Sequence, residues 1–249
     1  MARGHYAGTL AVLVKIKSLI AEFGTASTIL YCTDLLLAKY LKVGGLYSYR
    51  IVAQPVLSQP WLAGVRGQSI VIRTVGRDES VLKEMPLSDD VLKFRFQQEA
   101  ICIGAFKDSC MIGCLWICLG PYREDEVRCC FIPMPPDRCS WDFGVYLVPQ
   151  YRNGLAFARL WDGANTLLRS KHINWSFSRI STLNPRSLAS HHRMGARQVG
   201  RAFYLRLGKW QLMMASLRPF VHLSIGMDQV PQIRIEAPSL IKSLPSSNG

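Results

Sequence analysis

One stretch of the chain constrains its fold more than any other. Between Trp141 and Arg169 a strand pattern, a tight loop and a helix pattern follow one another without a gap. Trp141–Val148 alternates, with Trp141, Phe143, Val145 and Leu147 on one face and Asp142, Gly144, Tyr146 and Val148 on the other, and Pro149 stops the run. Behind the segment Gln150–Gly154, Phe157, Leu160, Trp161, Ala164, Leu167 and Leu168 recur at helical spacing. A helix that begins just after Gly154 leaves its first N–H groups unpaired, and the positive end of its dipole, at the mouth of a sheet. Arg152 adds a full charge, Gly154 lets a ligand approach the backbone, and Ala156 keeps the first turn uncrowded. The result is an anion cradle on the scale of a pyrophosphate.

Other segments fill in an α/β pattern. Leu10–Ile20 and Leu30–Leu37 read as two amphipathic helices parted at Gly24–Ser27. Leu46–Ala53 and Gln68–Val75 read as strands, and 76–98 as a polar loop with a short helix. Ala100–Phe106 and Met111–Leu119 flank Lys107-Asp108-Ser109 as a hairpin. A charged loop from Tyr122 to Arg128 and a proline-rich stretch follow. Ile173–Ile180 is a further strand, Asn184-Pro185 opens a helix that Gly195 closes, and Phe203–Met213 is a last mixed strand. This divides the chain into a helical extension packed on the core (1–45), one α/β domain (46–235) and a flexible Pro/Ser-rich tail (236–249).

Charge narrows the partners. The formal charge of the 249 residues is +13, and residues 150–218 hold 12 Lys/Arg against one acid, Asp162. That segment carries +11, so the excess sits with the cradle. The arginines are spread evenly through strands and helices, which disfavours nucleic acid. No apolar run reaches the ~18 uninterrupted residues of a membrane span. Eight cysteines include no C-x-x-C pair and have no neighbouring His, so no metal site is expected. Cys110, Cys114 and Cys118 alternate onto one strand face as small buried thiols. Free thiols without a secretory signal point to the cytoplasm.

The run Val145-Tyr146-Leu147-Val148-Pro149-Gln150-Tyr151-Arg152-Asn153-Gly154-Leu155-Ala156 resembles the fourth strand and coenzyme A pyrophosphate loop of the GNAT superfamily of acyl-CoA N-acyltransferases. Thirty residues on, Asn184-x-x-Ser187-x-x-x-His191-x-x-x-Gly195-Ala196 resembles that family's second signature, Asn-x-x-Ala-x-x-x-Tyr-x-x-x-Gly-Phe. The likeness covers residues 99–215. It implies a mixed, mostly antiparallel twisted sheet flanked by helices. There are two departures. Tyr151 stands where the family loop has Gln or Arg, with Arg152 one place late, and His191 stands where the family has its frequent acid, a Tyr.

The resemblance implies transfer of an acyl group, expected to be acetyl, from acyl-CoA to a primary amine by direct attack, without a metal. The acceptor would be a small-molecule or peptide amine. Val148, Tyr151, Arg152, Asn153, Gly154, Leu155, Ala156, Asn184 and Ser187 are then the expected coenzyme A contacts. His191 would be the acid that protonates the thiolate, titrating near neutrality. Asp142 is the expected base, with the solvated run Glu124, Asp125 and Glu126 as rivals, and Ser178 would touch substrate. Two alternatives remain open. The surplus charge suits an acidic acyl carrier protein as donor of a long chain to an amine such as an amino acid. A silent GNAT-like binding module is the other. The oligomeric state is not legible.

Overall fold

In the computed structural model, residues 44–238 and isolated positions between 17 and 33 are described. The helical extension expected over 1–45 falls almost wholly outside the described residues, as does the tail beyond Pro238. The strands are β1 (Gly44–Pro55), β2 (Val71–Val75), β3 (Ile101–Lys107), β4 (Cys110–Cys118), β5 (Tyr122–Arg123), β6 (Cys130–Met134) and β7 (Cys139–Leu147). They continue with β8 (Trp175–Ser181), β9 (Arg197–Leu207), β10 (Trp210–Ala215), β11 (Val221–Ser224) and β12 (Gln232–Glu236). The helices are α1 (Asp89–Gln97), α2 (Ala156–Ser170) and α3 (Pro185–Arg193).

Nine strands form one sheet in the order β11-β10-β9-β1-β8-β7-β4-β3-β2, and β12-β6-β5 form a second. All neighbours in the large sheet are antiparallel except β7 and β8. The fold is thus the mixed, mostly antiparallel α/β architecture expected. One layer of core, with Trp116, Trp141 and Phe177, lies under α1 and the small sheet. The other, with Leu115, Ile117 and Leu147, lies under α2. Leu160, Trp161 and Leu168 of α2 are fully buried there, each worth about 1.5–3 kcal/mol by burial of apolar surface.

Several sequence expectations need correction. Phe203–Met213 is two strands: the chain reverses at Gly208, whose φ of +59° suits a hairpin turn, so Leu207 faces Trp210. Glu236 ends a strand and does not begin the tail. Cys110 is exposed at its hairpin, while Cys114 and Cys118 are buried, because the β3–β4 register shifts at Ala105/Phe106.

The most consequential correction concerns β7. Cys114 faces Tyr146 and Trp116 faces Phe143, so two steps along β4 match three along β7. The extra residue is a β-bulge, which breaks alternation. Trp141, Phe143 and Tyr146 therefore share one layer, and Leu147 joins the α2 layer instead. Gly144 takes φ +60° at the bulge, and a Cβ there would come within 2.6 Å of Arg95 Nη1.

Candidate active site

The bulge sits where the large sheet opens. Pairing of β7 with β8 ends at Trp141↔Phe177, although β7 runs on to Leu147 and β8 to Ser181. From Asp142 onward the edge of β7 that faces β8 has no ladder partner among the described residues. A hollow of about 260 Å³ fills the opening and passes between the two layers. Asp142, Ser178, Asn184, Ser187 and His191 line it beside α3, and Arg95, Tyr122, Glu124, Asp125, Glu126 and Arg179 line it on the α1 side.

Asp142 is buried, and Ser176 Oγ donates to its Oδ1 at 2.6 Å. Ser140 Oγ donates to Ser176 Oγ at 3.1 Å, which completes a short polar chain across the last rungs. Burial pushes the Asp142 carboxyl up to about 7, although Ser176 and Ser178 oppose the rise. Ser178 stands close enough to Asp142 to steady its charge, but beyond the reach of a well-formed hydrogen bond. A carboxyl poised near neutrality in a partly dry opening has the property a general base needs.

His191 departs from expectation in its charge. It is 3% exposed, wedged edge-on against Trp161 and Phe157, and burial lowers its pKa to about 4. It is a neutral imidazole near pH 7, not a group that titrates there. Its Nδ1 lies 2.8 Å from Gln54 Oε1. With the Gln54 amide oriented in this way, Nδ1 carries the proton and donates it to Gln54, and Nε2 is bare.

Of the acidic run only Glu126 is solvated; Glu124 is buried and Asp125 is half-buried. Arg179 grips Glu124 through two nitrogens at 2.9 and 2.7 Å and reaches Glu126 at 2.6 Å. Burial alone would lower the pKa of Arg179, but Glu124, Tyr49 and Glu126 together raise it well above its ordinary value. Arg95 donates to Asp125 at 2.8 and 3.2 Å and lies over the Trp116 and Phe143 rings. These carboxylates are committed to arginines, whereas Asp142 is held by serine and meets no arginine among the described residues.

A second hollow of about 570 Å³ lies along the other face of α3. It is lined by Arg152, Asn153, Gly154, Phe157 and Ala158 at the start of α2, and by Arg186, Ser190 and Arg193 of α3. Leu155, at the N-cap of α2, makes no side-chain cap, so the first-turn amides stay available. Three arginines and a bare helix N-terminus thus face one groove.

Not every expected coenzyme A contact is there. Tyr151 packs against the core under Lys107, and Ala156 is buried in the same layer. Val148 is fixed by backbone bonds to Ile112 and Tyr151. Asn184 caps α3 by accepting from Ser187 N at 3.0 Å, and both border the first hollow and not the groove. Arg152 spends its Nε on Leu147 O at 3.0 Å, which ties the loop to the end of β7. Arg95, Tyr122 and Gln54 were missed by the sequence reading, for no local motif marks them. Among the described residues no group of three His, Cys, Asp or Glu side chains comes together to hold a metal, and no helix is long and apolar enough to cross a membrane.

A sheet that opens at its parallel pair, beside a strand–loop–helix with a free N-terminal turn, is the arrangement that the resemblance to the GNAT superfamily implies. No protein-family model and no curated protein matches the chain. Among solved structures, it is similar to a functionally unknown conserved protein from Staphylococcus epidermidis, with a TM-score of 0.47 and 10% identity over 70% of this chain and 68% of that one. It is similar also to a tandem GNAT protein from the clavulanic acid biosynthesis pathway, at 0.46 and 14% over 70% and 58%. A GNAT-family protein from Novosphingobium aromaticivorans matches at 0.45 and 12% over 66% and 65%. The chain spans about two thirds or less of the length of those proteins.

Proposed function

We propose that the chain transfers an acyl group, acetyl in the simplest case, from a coenzyme A thioester to a primary amine by direct attack in a ternary complex. The observation that carries this reading is the pairing of two hollows along α3: an anion groove ringed by Arg152, Arg186 and Arg193, and a sheet opening that holds the buried carboxyl of Asp142. The groove would take the pyrophosphate on the α2 amides, with Asn153, Gly154 and Leu155 shaping the approach. The unpaired edge of β7 would offer N–H groups to the thioester carbonyl, whose oxygen gains charge as the amine adds.

Asp142 would take the proton that the attacking amine gives up. Collapse of the adduct breaks the C–S bond and releases a thiolate, which needs a proton. The proton that Asp142 gains would pass to the thiolate, and His191, a neutral imidazole whose Nδ1–H is given to Gln54, would line that path and not act as a pre-charged acid. An acyl carrier protein is a second candidate donor, favoured by the exposure of Arg186 and Arg193 at the groove and of Arg197 just past α3. Calorimetric titration with acetyl-CoA, a long-chain acyl-CoA and an acyl carrier protein tests the reading. Binding of at least one, weakened when Arg186 and Arg193 are replaced by Ala, is the expected result; no binding of any of them would remove the proposal.

A further inference from the structure

The opening between β7 and β8 contains polar atoms that the described residues leave unused. Tyr122 is fully buried, Ser178 is 4% exposed and Arg95 is 6% exposed. All three border the same hollow. Yet Tyr122 Oη, Ser178 Oγ and Arg95 Nη1 have no hydrogen-bond partner among the described residues. Buried polar groups are ordinarily paired, because each loses its water on folding. Three that are not, around one hollow, mark groups held ready for a ligand.

Their chemistry and placement say which ligand. Arg95 Nη1 can only donate, and it carries positive charge that Asp125 meets through Nε and Nη2 alone. Tyr122 Oη, stacked between the Trp141 and Phe143 rings, lies in the same layer. That end of the hollow offers two donors, which the two oxygens of a carboxylate can take at once, Arg179 meeting the charge of Glu124 and Glu126 beside them. Ser178 belongs to the opposite layer, with Asp142, where the amine would lose its proton. A hollow of about 260 Å³ is below the ~300 Å³ at which pockets begin to hold drug-sized ligands, so one small molecule reaches both ends.

We infer that the acceptor is a small amino-carboxylate, a free amino acid or close relative, whose carboxylate docks on Arg95 Nη1 and Tyr122 Oη while its amine lies toward Asp142 and Ser178. This rests on the acyl-transfer reading for the fate of the amine, but the binding site stands on its own.

The test is calorimetric titration, without any acyl donor, of glycine, leucine and lysine and of their decarboxylated counterparts methylamine, 3-methylbutylamine and cadaverine. At least one amino acid should bind about tenfold or more tightly than its amine. Tyr122→Phe should cut that preference several-fold, Arg95 still holding the carboxylate, and melt no lower than the parent protein, because its hydroxyl has no hydrogen-bond partner among the described residues. Ser178→Ala should weaken both members of a pair alike. Equal binding of amino acid and amine, no binding by any of the six, or an intact preference in Tyr122→Phe would overturn the inference. Because no donor is present, a preference that survives alongside failure to bind any acyl thioester overturns only the transfer reading.

Discussion

Ser176 donates its hydroxyl to Asp142 at 2.6 Å, one residue beyond the last rung that joins β7 to β8. The contact holds the carboxyl at the lip of the opening, and burial sets its pKa near 7. As the base, Asp142 must be ionised. The rate constant kcat/KM should therefore rise roughly tenfold per pH unit below about pH 7 and level off above it. Asp142→Asn should flatten this limb and lower kcat/KM by about 10²–10⁴-fold, as steady-state rates across pH 5–9 would show.

The same shift has a consequence for stability. Asp142 keeps its proton to about 7 when folded and to its ordinary 3.8 when unfolded. The folded state thus binds the extra proton between those values, and stability falls as pH rises from about 4 to 7. Asp142→Asn should raise the Tm at pH 8 and leave it nearly unchanged at pH 4. His191 acts in the other direction, for its folded pKa of about 4 lies below its ordinary 6.5. Its contribution is present above pH 6.5 and lost as pH falls toward 4, so His191→Gln should blunt acid destabilisation in that window. Melting curves of both variants at pH 4, 6 and 8 separate the two slopes.

Gly154 offers a clean probe of the groove. A Cβ at this position would meet only Tyr151 O, at 3.7 Å, so the folded chain has room for a side chain. Gly154→Val should keep its Tm within a few degrees while acetyl-CoA binding falls below detection. Arg152→Ala should weaken binding by about 1.5–3 kcal/mol, the scale of a hydrogen bond to a charged group. Equal affinity in both variants would move the pyrophosphate elsewhere.

Arg186, Arg193 and Arg197 are exposed, and the first two border the groove. Their field reaches about 8–10 Å at physiological salt. If an acidic carrier protein is the donor, its association rate should fall steeply from low to high salt, and reversal of the three charges to Glu should slow it selectively. Free acyl-CoA should respond less. The same salt slope for both donors would set the carrier aside.

The legible parts were those written in consecutive residues. Asn184-Pro185 with Gly195 gave α3 within a residue, and the periodic leucines and Trp161 gave α2. The β3–β4 hairpin was found although its turn has Asp108 and Ser109 at φ of 50° and 65° and no glycine. What escaped depends on distant partners. β6 holds Pro133 and reads as a breaker, but it pairs in parallel with β12, a hundred residues later. The bulge at Gly144 is set by the fit against β4 and Arg95, so alternation along β7 alone misplaced Leu147. Arg95 and Tyr122 meet Asp142 only because α1 and β5 fold over the same layer as Trp116.

The place of β1 in the large sheet bears on how the chain is made. Its two partners, β8 and β9, lie downstream by 120 residues or more, Pro55 being opposite Trp175. On a ribosome at ~5–20 residues per second, β1 waits roughly ten seconds before either neighbour has been synthesised. Throughout that interval its Leu46, Ile51 and Val52 have no sheet to join, and pairings over such distances close slowly. A nascent chain of this design is at its most vulnerable late in translation, and chains cut short before Leu207 would lack the strand that closes β1 on its second side.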